Sequence, residues 1–413
     1  MTMTTKLYWE NSHLSEFSAS VIDRFEQDNK SVVVLDRTAF YPLGGGQPCD
    51  MGMIGSAQVN AVSSNDDGIV FHYLDSGFKF TKGELVNCKI DWVHRLEMTQ
   101  QHTGQHILSQ AFFQLFGAET HGFRINQNYS EIDLELELQP EEIPAAIQQA
   151  EDLANTIVFE NREIRTHLVT PEAAAKFPLR KESFISDCVR IVEIADFDWS
   201  PCGGTHARRT GEVGLLAIKS WERAKKMTRV QFVGGIRALH DYRAANKTAQ
   251  TIARKFSIAR DDAPDAVNRL FDEHKIFAQQ IKTLSEITLK IEAQELLQAG
   301  EIVNGIKVIA RIFEQRSLDE LKMIAHKLAE EPSLVALFAS RDSDLVRLVF
   351  ARSANIDFAM GTLMREACQK IEGKGGGTAD FAQGGGANIS ELENMMTAMI
   401  AKLRSVSPVV AGG

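Results

Sequence analysis

The chain has 413 residues, 44% hydrophobic and 24% charged, with a formal net charge of −10. That length suits two to four globular domains, and the acidic balance argues against a general nucleic-acid binder. No apolar run of 18 residues is present, so no membrane span is expected. The opening "MTMTTKLYWENSH" lacks the apolar centre of a signal peptide. Cys49, Cys88, Cys188, Cys202 and Cys368 are odd in number and irregular in spacing. They read as free thiols in a reducing cytoplasm rather than a disulfide framework.

Residues 1–90 read as a small β-barrel. β-branched and aromatic runs ("SVVVLDRTAFYP", "GIVFHYLDS") are separated by the turn signals "PLGGGQP" and "SSNDDG". The next stretch, 95–117, reads as a helix: Ile107, Leu108, Ala111, Phe112, Leu115 and Phe116 make one apolar arc, and Gly117 stops it. "SEIDLELEL" alternates as a strand, and a second helix is expected around 141–158. Strands follow at "CVRIVEIA", "VGLLAIKSW" and "TRVQFVGG", which makes 91–240 an α+β block. Residues 241–300 resemble two long helices forming an arm. From 301 to 413 strands and helices alternate in a compact α/β domain, where "GKGGGTADFAQGGGAN" interrupts before a last helix. The fold class is therefore α+β: barrel, α+β core, helical arm and C-terminal α/β domain.

Two ligand pairs stand out. "QHTGQH" puts His102 and His106 at i and i+4, one turn apart on one helix face. "CGGTH" puts Cys202 and His206 four apart, with Gly203 and Gly204 freeing the backbone to wrap. A thiolate with imidazoles suits a borderline-soft ion, and one Zn²⁺ per chain is the expectation. Thr103 follows His102 where a zinc peptidase would carry glutamate, so the motif brings no general base. Four protein ligands close a site and three leave a place for water; the spacing is compatible with both.

Charge is uneven. Glu131 to Glu163 is strongly acidic, whereas eight basic residues (Arg208, Arg209, Lys219, Arg223, Lys225, Lys226, Arg229, Arg237) lie against Glu212 and Glu222. Such a strip can follow phosphates on an acidic protein, or be an ordinary solvated surface.

"QHTGQHILSQAF" followed by "DWSPCGGTHARRTGEVG" closely resembles the editing domain of alanyl-tRNA synthetases and the alanyl-tRNA editing proteins of the AlaX type. The second motif is also similar to the editing domain of threonyl-tRNA synthetases. "RTAFYPLGGGQPCDMG" resembles the glycine-rich signature of the barrel preceding the alanyl editing core. "GKGGGTADFAQGGG" is similar to the synthetases' C-terminal domain, also seen in DHH-type phosphoesterases.

The resemblance implies zinc held by His102, His106, Cys202 and His206, and hydrolysis of mischarged tRNA-Ala, seryl or glycyl, by a free-standing enzyme acting in trans. It suggests substrate contacts from Gly44, Gly45, Gly46 and the Gln47 amide. It also gives the basic strip a use: Arg208, Arg223, Lys225, Lys226 and Arg229 on the acceptor stem, with Lys374 as a further RNA contact. The seryl hydroxyl is left among Thr120, His121 and Phe123. The arm or the C-terminal domain would make a homodimer contact. Two other readings stay open: an aminoacyl-tRNA hydrolase of different specificity, and a non-catalytic tRNA-binding adaptor whose zinc is structural.

Overall fold

The computed structural model describes residues 3–27, 30–75, 80–180 and 188–405. The extreme ends of the first and last expected domains, 1–2 and 406–413, lie outside the described residues, as does Ser76 at the end of "GIVFHYLDS". The chain divides into two compact units, Met1–Arg260 and Asp261–Gly413.

The first unit opens with a closed six-stranded barrel. Its strands are β1 (Glu16–Gln27), β2 (Lys30–Leu35), β3 (Gly52–Ile54), β4 (Ala57–Ser64), β5 (Val70–Leu74) and β6 (Leu85–Ile90). They close in the order β1-β2-β5-β4-β3-β6. The period-two pattern is plain in β6, where Val86, Cys88 and Ile90 are buried between exposed neighbours. Val33, Leu35, Phe40, Ile54, Val62 and Leu74 fill the interior. Closure leaves no strand edge to be covered. Before the barrel, Leu7–Glu10 forms one helical turn, too short to leave a periodic signal.

Helix α1 (Trp92–Phe116) follows directly. Asp91 caps it by accepting from the Val93 and His94 amides at 3.1 and 3.2 Å, and Gly117 ends it in the left-handed region at φ 66°. Ile107, Leu108, Ala111 and Phe112 are buried as expected, but Leu115 is 41% exposed. The buried arc ends a turn before the periodicity does. A clamp fixes the other end of the helix. Arg95 is fully buried and donates Nε to Asp50 Oδ1 at 2.9 Å and Nη2 to Asp50 Oδ2. It also donates to the Ser12 and Ala39 carbonyls, each at 2.6 Å. The helix start is thereby tied to the barrel.

Strands β7 (Glu119–Ile125) and β8 (Ser130–Glu135) lead to helix α2 (Ile143–Phe159). A three-stranded sheet follows: β9 (Ile164–Val169), β10 (Val189–Ile194) and β11 (Asp198–Pro201). Strands β12 (Leu216–Ala224) and β13 (Met227–Gly234) complete a four-stranded sheet in the order β12-β13-β8-β7. Helices α1 and α2 share one core through Ile107, Phe112, Ile143, Ile147, Ala154 and Phe232. Trp221 packs against that core. Helix α3 (Ile236–Phe256) ends the unit.

The second unit begins with α4 (Ala263–Ala299), a 37-residue helix. Its sheet contains β14 (Glu301–Val303), β15 (Ile306–Glu314), β16 (Leu334–Arg341), β17 (Val346–Arg352), β18 (Gly373–Gly377) and β19 (Phe381–Gly386). The order is β14-β15-β16-β17-β19-β18, and only β15 and β16 run parallel among its pairs. That pair is bridged by helix α5 (Leu318–Ala329), started by a Ser317/Glu320 capping box. Helices α6 (Met360–Lys370) and α7 (Leu392–Ser405) supply the rest of the core, with Met360, Met364, Met395 and Met399.

The glycine-rich stretch is not an interruption: it is the hairpin β18–β19. Glycine is a poor strand former, but these glycines face close neighbours. A Cβ on Gly375 or Gly384 would lie 2.6 or 2.4 Å from Cys368 Sγ on α6. Close helix-on-sheet approach, rather than a turn, explains the composition there.

Candidate metal centre and its cleft

Helix α1 carries His102 and His106 on one face, with ring centroids 5.4 Å apart. The β10–β11 hairpin delivers the other pair. Cys202 follows directly after β11, and its amide donates to the Arg190 carbonyl at 2.9 Å. The Arg190 guanidinium returns from β10, and Nη1 donates to the Cys202 and Gly204 carbonyls at 2.8 and 3.0 Å. That holds the "CGG" backbone in a tight wrap. Gly204 has to be glycine, since a Cβ there would sit 2.1 Å from His102 Cε1.

The four side chains converge. One ligand atom from each of His102, His106, Cys202 and His206 lies within 4.8 Å of the others. Cys202 Sγ is 3.4 Å from His102 Nε2 and 3.2 Å from His206 Nε2. These are near the ligand–ligand separations, about 3.5 Å, of a tetrahedral site with bonds of about 2.0–2.3 Å. The opposite ring nitrogens are each engaged. His102 Nδ1 lies 2.7 Å from Gln47 Oε1, His106 Nδ1 3.3 Å from Asp198 Oδ2, and His206 Nδ1 3.4 Å from Thr103 Oγ1. Acceptors behind each ring hold the proton on Nδ1 and leave Nε2 free to ligate. The donor set therefore fits a metal ion.

Charge within the cluster is shared. Burial opposes ionisation of Cys202, but His102 and His206 facing it hold the thiol well below its usual range. Burial likewise opposes a charge on His106, yet hydrogen bonds to Asp198 and Cys202 raise it to about 9. His206 is pushed down to about 3, chiefly by burial. Thiolate and imidazolium thus form one coupled pair. Asp198 is itself buried, and its carboxylate is held low against that burial by Arg180, whose Nε donates to Oδ1 at 3.0 Å, and by His106.

The cluster opens into a cleft of about 500 Å³. Tyr8, Trp9, Tyr41 and Leu43 line one part of it; Gln105, Thr120, Arg180 and Ser200 line another. Burial pushes both tyrosine phenols far up, so they stay neutral. No Asp or Glu lines this cleft among the described residues.

The other residues singled out from the sequence fall as follows. Gly44 and Gly45 line the cleft. Gly46 turns away at φ 78°, where a Cβ would strike the Phe123 carbonyl at 2.3 Å. Gln47 does not present its amide to the cleft, as the sequence suggested. It is fully buried, with Oε1 on His102 and the Thr205 amide, and Nε2 on Thr205 Oγ1. Its place is behind a ligand. Thr120, His121 and Phe123 all line the cleft; Thr120 donates to Ser109 at 2.8 Å, and His121 pairs with Glu135.

Three of the eight basic residues of the strip are matched by acids. Arg229 is bidentate on Asp133 at 2.8 and 3.0 Å, Lys219 pairs with Asp241, and Arg237 pairs with Glu97. Arg223 donates to the Leu138 carbonyl and Arg208 to Asn11. Lys225 and Lys226, at the β12–β13 turn, are exposed and carry no ion pair among the described residues. Lys374 is exposed on β18.

Sequence reasoning missed Asp198, Arg180, Arg190 and the Thr99–Thr205 contact at 3.0 Å. Asp198 lay inside the quoted motif, four residues before Cys202, but its burial and its contact with His106 come only with the fold.

Comparison with known proteins agrees with this arrangement. Residues 8–94 match the class II (A) tRNA synthetase model, and 189–231 match the second additional domain of threonyl and alanyl tRNA synthetases. Residues 305–405 match the DHHA1 domain. The chain is 28% identical over 413 residues to the alanyl-tRNA editing protein AlaX-L of Pyrococcus horikoshii, covering 98% of this chain and 99% of that protein. It is 30% identical to the alanine–tRNA ligase of Methanosarcina barkeri, over 95% of this chain and 43% of the ligase. The ligase of Methanoregula boonei is 32% identical, over 94% of this chain and 42% of that protein. The chain therefore spans less than half the length of these ligases. Along its whole length the chain is therefore similar to an alanyl-tRNA editing protein of the AlaX type, and the three family models match successive parts of it.

Proposed function

We propose that this chain is a zinc-dependent editing hydrolase that deacylates mischarged tRNA-Ala, seryl or glycyl, acting in trans. The observation that carries the reading is the cluster itself. A thiolate and three imidazoles, each ring backed by an acceptor, converge at a cleft that His102, His106 and Cys202 line and that is large enough for an aminoacyl end. The likeness to AlaX-L and to alanine–tRNA ligases supports the choice of tRNA-Ala.

Bound Zn²⁺ would supply Lewis acidity toward a water or an ester oxygen. The chain's own residues do the rest. Gln47, Asp198 and Thr103 orient the three imidazoles. Arg190 and Gly204 shape the loop that aims Cys202. Among the described residues the cleft lining is polar and aromatic rather than acidic, and those side chains bind and orient the substrate. Gln105, Thr120 and Ser200 offer the polar contacts that a seryl side chain needs. These side chains already bond to Ser109, Asp198 and Arg180; a seryl hydroxyl can join that network and an alanyl methyl cannot, which is the physical basis for sparing the correct product.

We place the acceptor stem against Lys225 and Lys226, with Arg208, Arg223 and Arg229 as flanking contacts and Lys374 as a remote one. We also propose segments 1–90, 91–240, 241–300 and 301–413 as domains, a homodimer through the arm or C-terminal domain, and a cytoplasmic location. No helix among the described residues is long and apolar enough to cross a membrane.

The deciding experiment is deacylation of purified Ser-tRNA-Ala, Gly-tRNA-Ala, Ala-tRNA-Ala and Ser-tRNA-Ser, with metal content measured on the same preparation. Rapid loss of serine from tRNA-Ala alone, with one zinc per chain, is expected. Tight tRNA binding without turnover would favour the adaptor with structural zinc.

A further inference from the structure

The cleft has an aromatic side for which the aminoacyl group has no use. Trp9 lines it, half-buried, beside Tyr8 and Tyr41, whose rings meet edge-on with centroids 5.5 Å apart. Lys6 places Nζ 4.5 Å from the centroid of the Trp9 ring. Burial lowers the Lys6 ammonium below its usual range, so this cation is partly stripped of water. It has no carboxylate partner among the described residues. A second cation stands behind the same residue. Arg190 is 4% exposed and donates Nε to the Trp9 carbonyl at 3.2 Å. Its Nη2 is buried without a partner. On a chain of net charge −10, a lysine with no carboxylate partner, set over a half-buried indole at the cleft, calls for an anion that arrives from outside.

A flat apolar surface next to an unmatched positive charge is what a single-stranded nucleotide requires: a π-face for the base and a cation for the phosphate. We propose that Lys6 and Trp9 form the subsite for the 3′-terminal nucleotide of the substrate, with the purine stacked on Trp9 and Lys6 taking the phosphate on its 5′ side. This deepens the reading given above and rests on it. The subsite accounts for the one-turn helix Leu7–Glu10 lying at the cleft rather than serving only as a lead into the barrel. It also separates two tasks: the aromatic side holds the terminal nucleotide, and the polar side inspects the amino acid.

The test uses the zinc-loaded full chain and two probes, adenosine and the trinucleotide CpCpA. CpCpA should quench tryptophan fluorescence in the parent protein, and Trp9→Phe should remove most of that quench. Trp9→Ala should raise the KM for Ser-tRNA-Ala about tenfold with kcat nearly unchanged, the size expected for loss of one base–aromatic stack. Lys6→Gln should leave adenosine binding alone, weaken CpCpA, and reduce the slope of log Kd against log salt by about 0.7, one phosphate on a single strand. Zinc content of each variant serves as the fold control. Parent protein that deacylates Ser-tRNA-Ala while CpCpA produces no quench, and while Trp9→Ala keeps the parent KM, overturns the subsite. Parent protein with no deacylase activity overturns the functional reading instead, and the CpCpA titration still decides whether Lys6 and Trp9 hold a nucleotide.

Discussion

The two longest helices among the described residues break the burial rule in opposite senses. Helix α1 buries polar groups: Arg95, Thr99, Gln101, His102, Thr103, Gln105, His106 and Ser109 are all buried. Helix α4 exposes apolar ones, with Leu270, Phe277, Ile281, Leu284 and Ile291 each more than half in solvent. On α1 every buried polar side chain named has a partner, most of them distant in sequence. Gln101 grips the Gly234 backbone at 2.9 and 3.0 Å, and Asp50 neutralises Arg95. Burial there costs little because desolvation is offset by directed contacts. On α4 only Leu289, Ala293 and their neighbours Leu296 and Leu297 join a core. The outward face repeats Leu270, Phe277, Leu284 and Ile291 every seven residues, a seam that suits another helix. Polar burial marks a site completed within the chain; apolar exposure marks the face on which the proposed homodimer can be tested.

The sharpest way to break this contrast is at the clamp. Arg95→Leu should cost about 3–5 kcal/mol, because it leaves the Asp50 carboxylate buried and unpaired. The pair Arg95→Leu, Asp50→Leu should recover much of that loss in urea unfolding. Equal cost for the single and double variants would mean that the charges are not coupled.

A second, smaller effect tests buried neutrality in the barrel. His72 is fully buried between the Val33 carbonyl at 3.0 Å and Thr38 Oγ1 at 2.9 Å, and burial pushes it down to about 4 from 6.5. The native state therefore binds fewer protons than the unfolded one in this window. Stability should be full above about pH 6.5 and fall as pH drops toward 4, by roughly 3 kcal/mol from this residue. Thermal unfolding of His72→Gln should be flatter over that interval. A parallel pH profile would assign the acid loss elsewhere.

Next comes the layer behind the ligands. Asp198→Asn keeps the shape but weakens the acceptor on His106. Zinc affinity, read by chelator competition, should fall about 10–100-fold, whereas Cys202→Ala should abolish stoichiometric binding. Unchanged affinity in Asp198→Asn would leave that carboxylate as a partner of Arg180 only.

The smallest effect belongs to α4. Changing Phe277 and Leu284 together to Ser should shift stability by no more than about 0.5 kcal/mol, since both are already solvated. If the proposed homodimer uses this face, the same variant sediments as a monomer while the parent does not. A parent chain that is itself monomeric removes the dimer proposal.

The contrast also explains what the sequence disclosed. The convergence of His102, His106, Cys202 and His206 was readable because helical periodicity and the glycine pair carry their own geometry. The barrel was readable from alternation and turns. The acceptors Asp198, Gln47 and Thr103 were not, because each acquires its role only when segments 55 to 103 residues apart meet. Helix α1 looked amphipathic at its C-terminal half, and nothing local announced that its polar half is buried too. The hairpin β18–β19 was hidden for another reason: its glycines answer to Cys368 on a neighbouring helix, not to the local backbone.

The Arg95 clamp has a consequence for how this stretch can change length. His102 lies seven residues beyond Arg95, two turns and about 10 Å along the rod. Inserting one residue between them would swing both imidazoles by about 100° while the helix start stayed bolted to Asp50. Inserting seven would restore the direction but carry the rings about 10 Å past Cys202. Substitutions at exposed positions in this segment can be absorbed one at a time, but no insertion or deletion can, so the distance from clamp to ligand acts as a fixed gauge length.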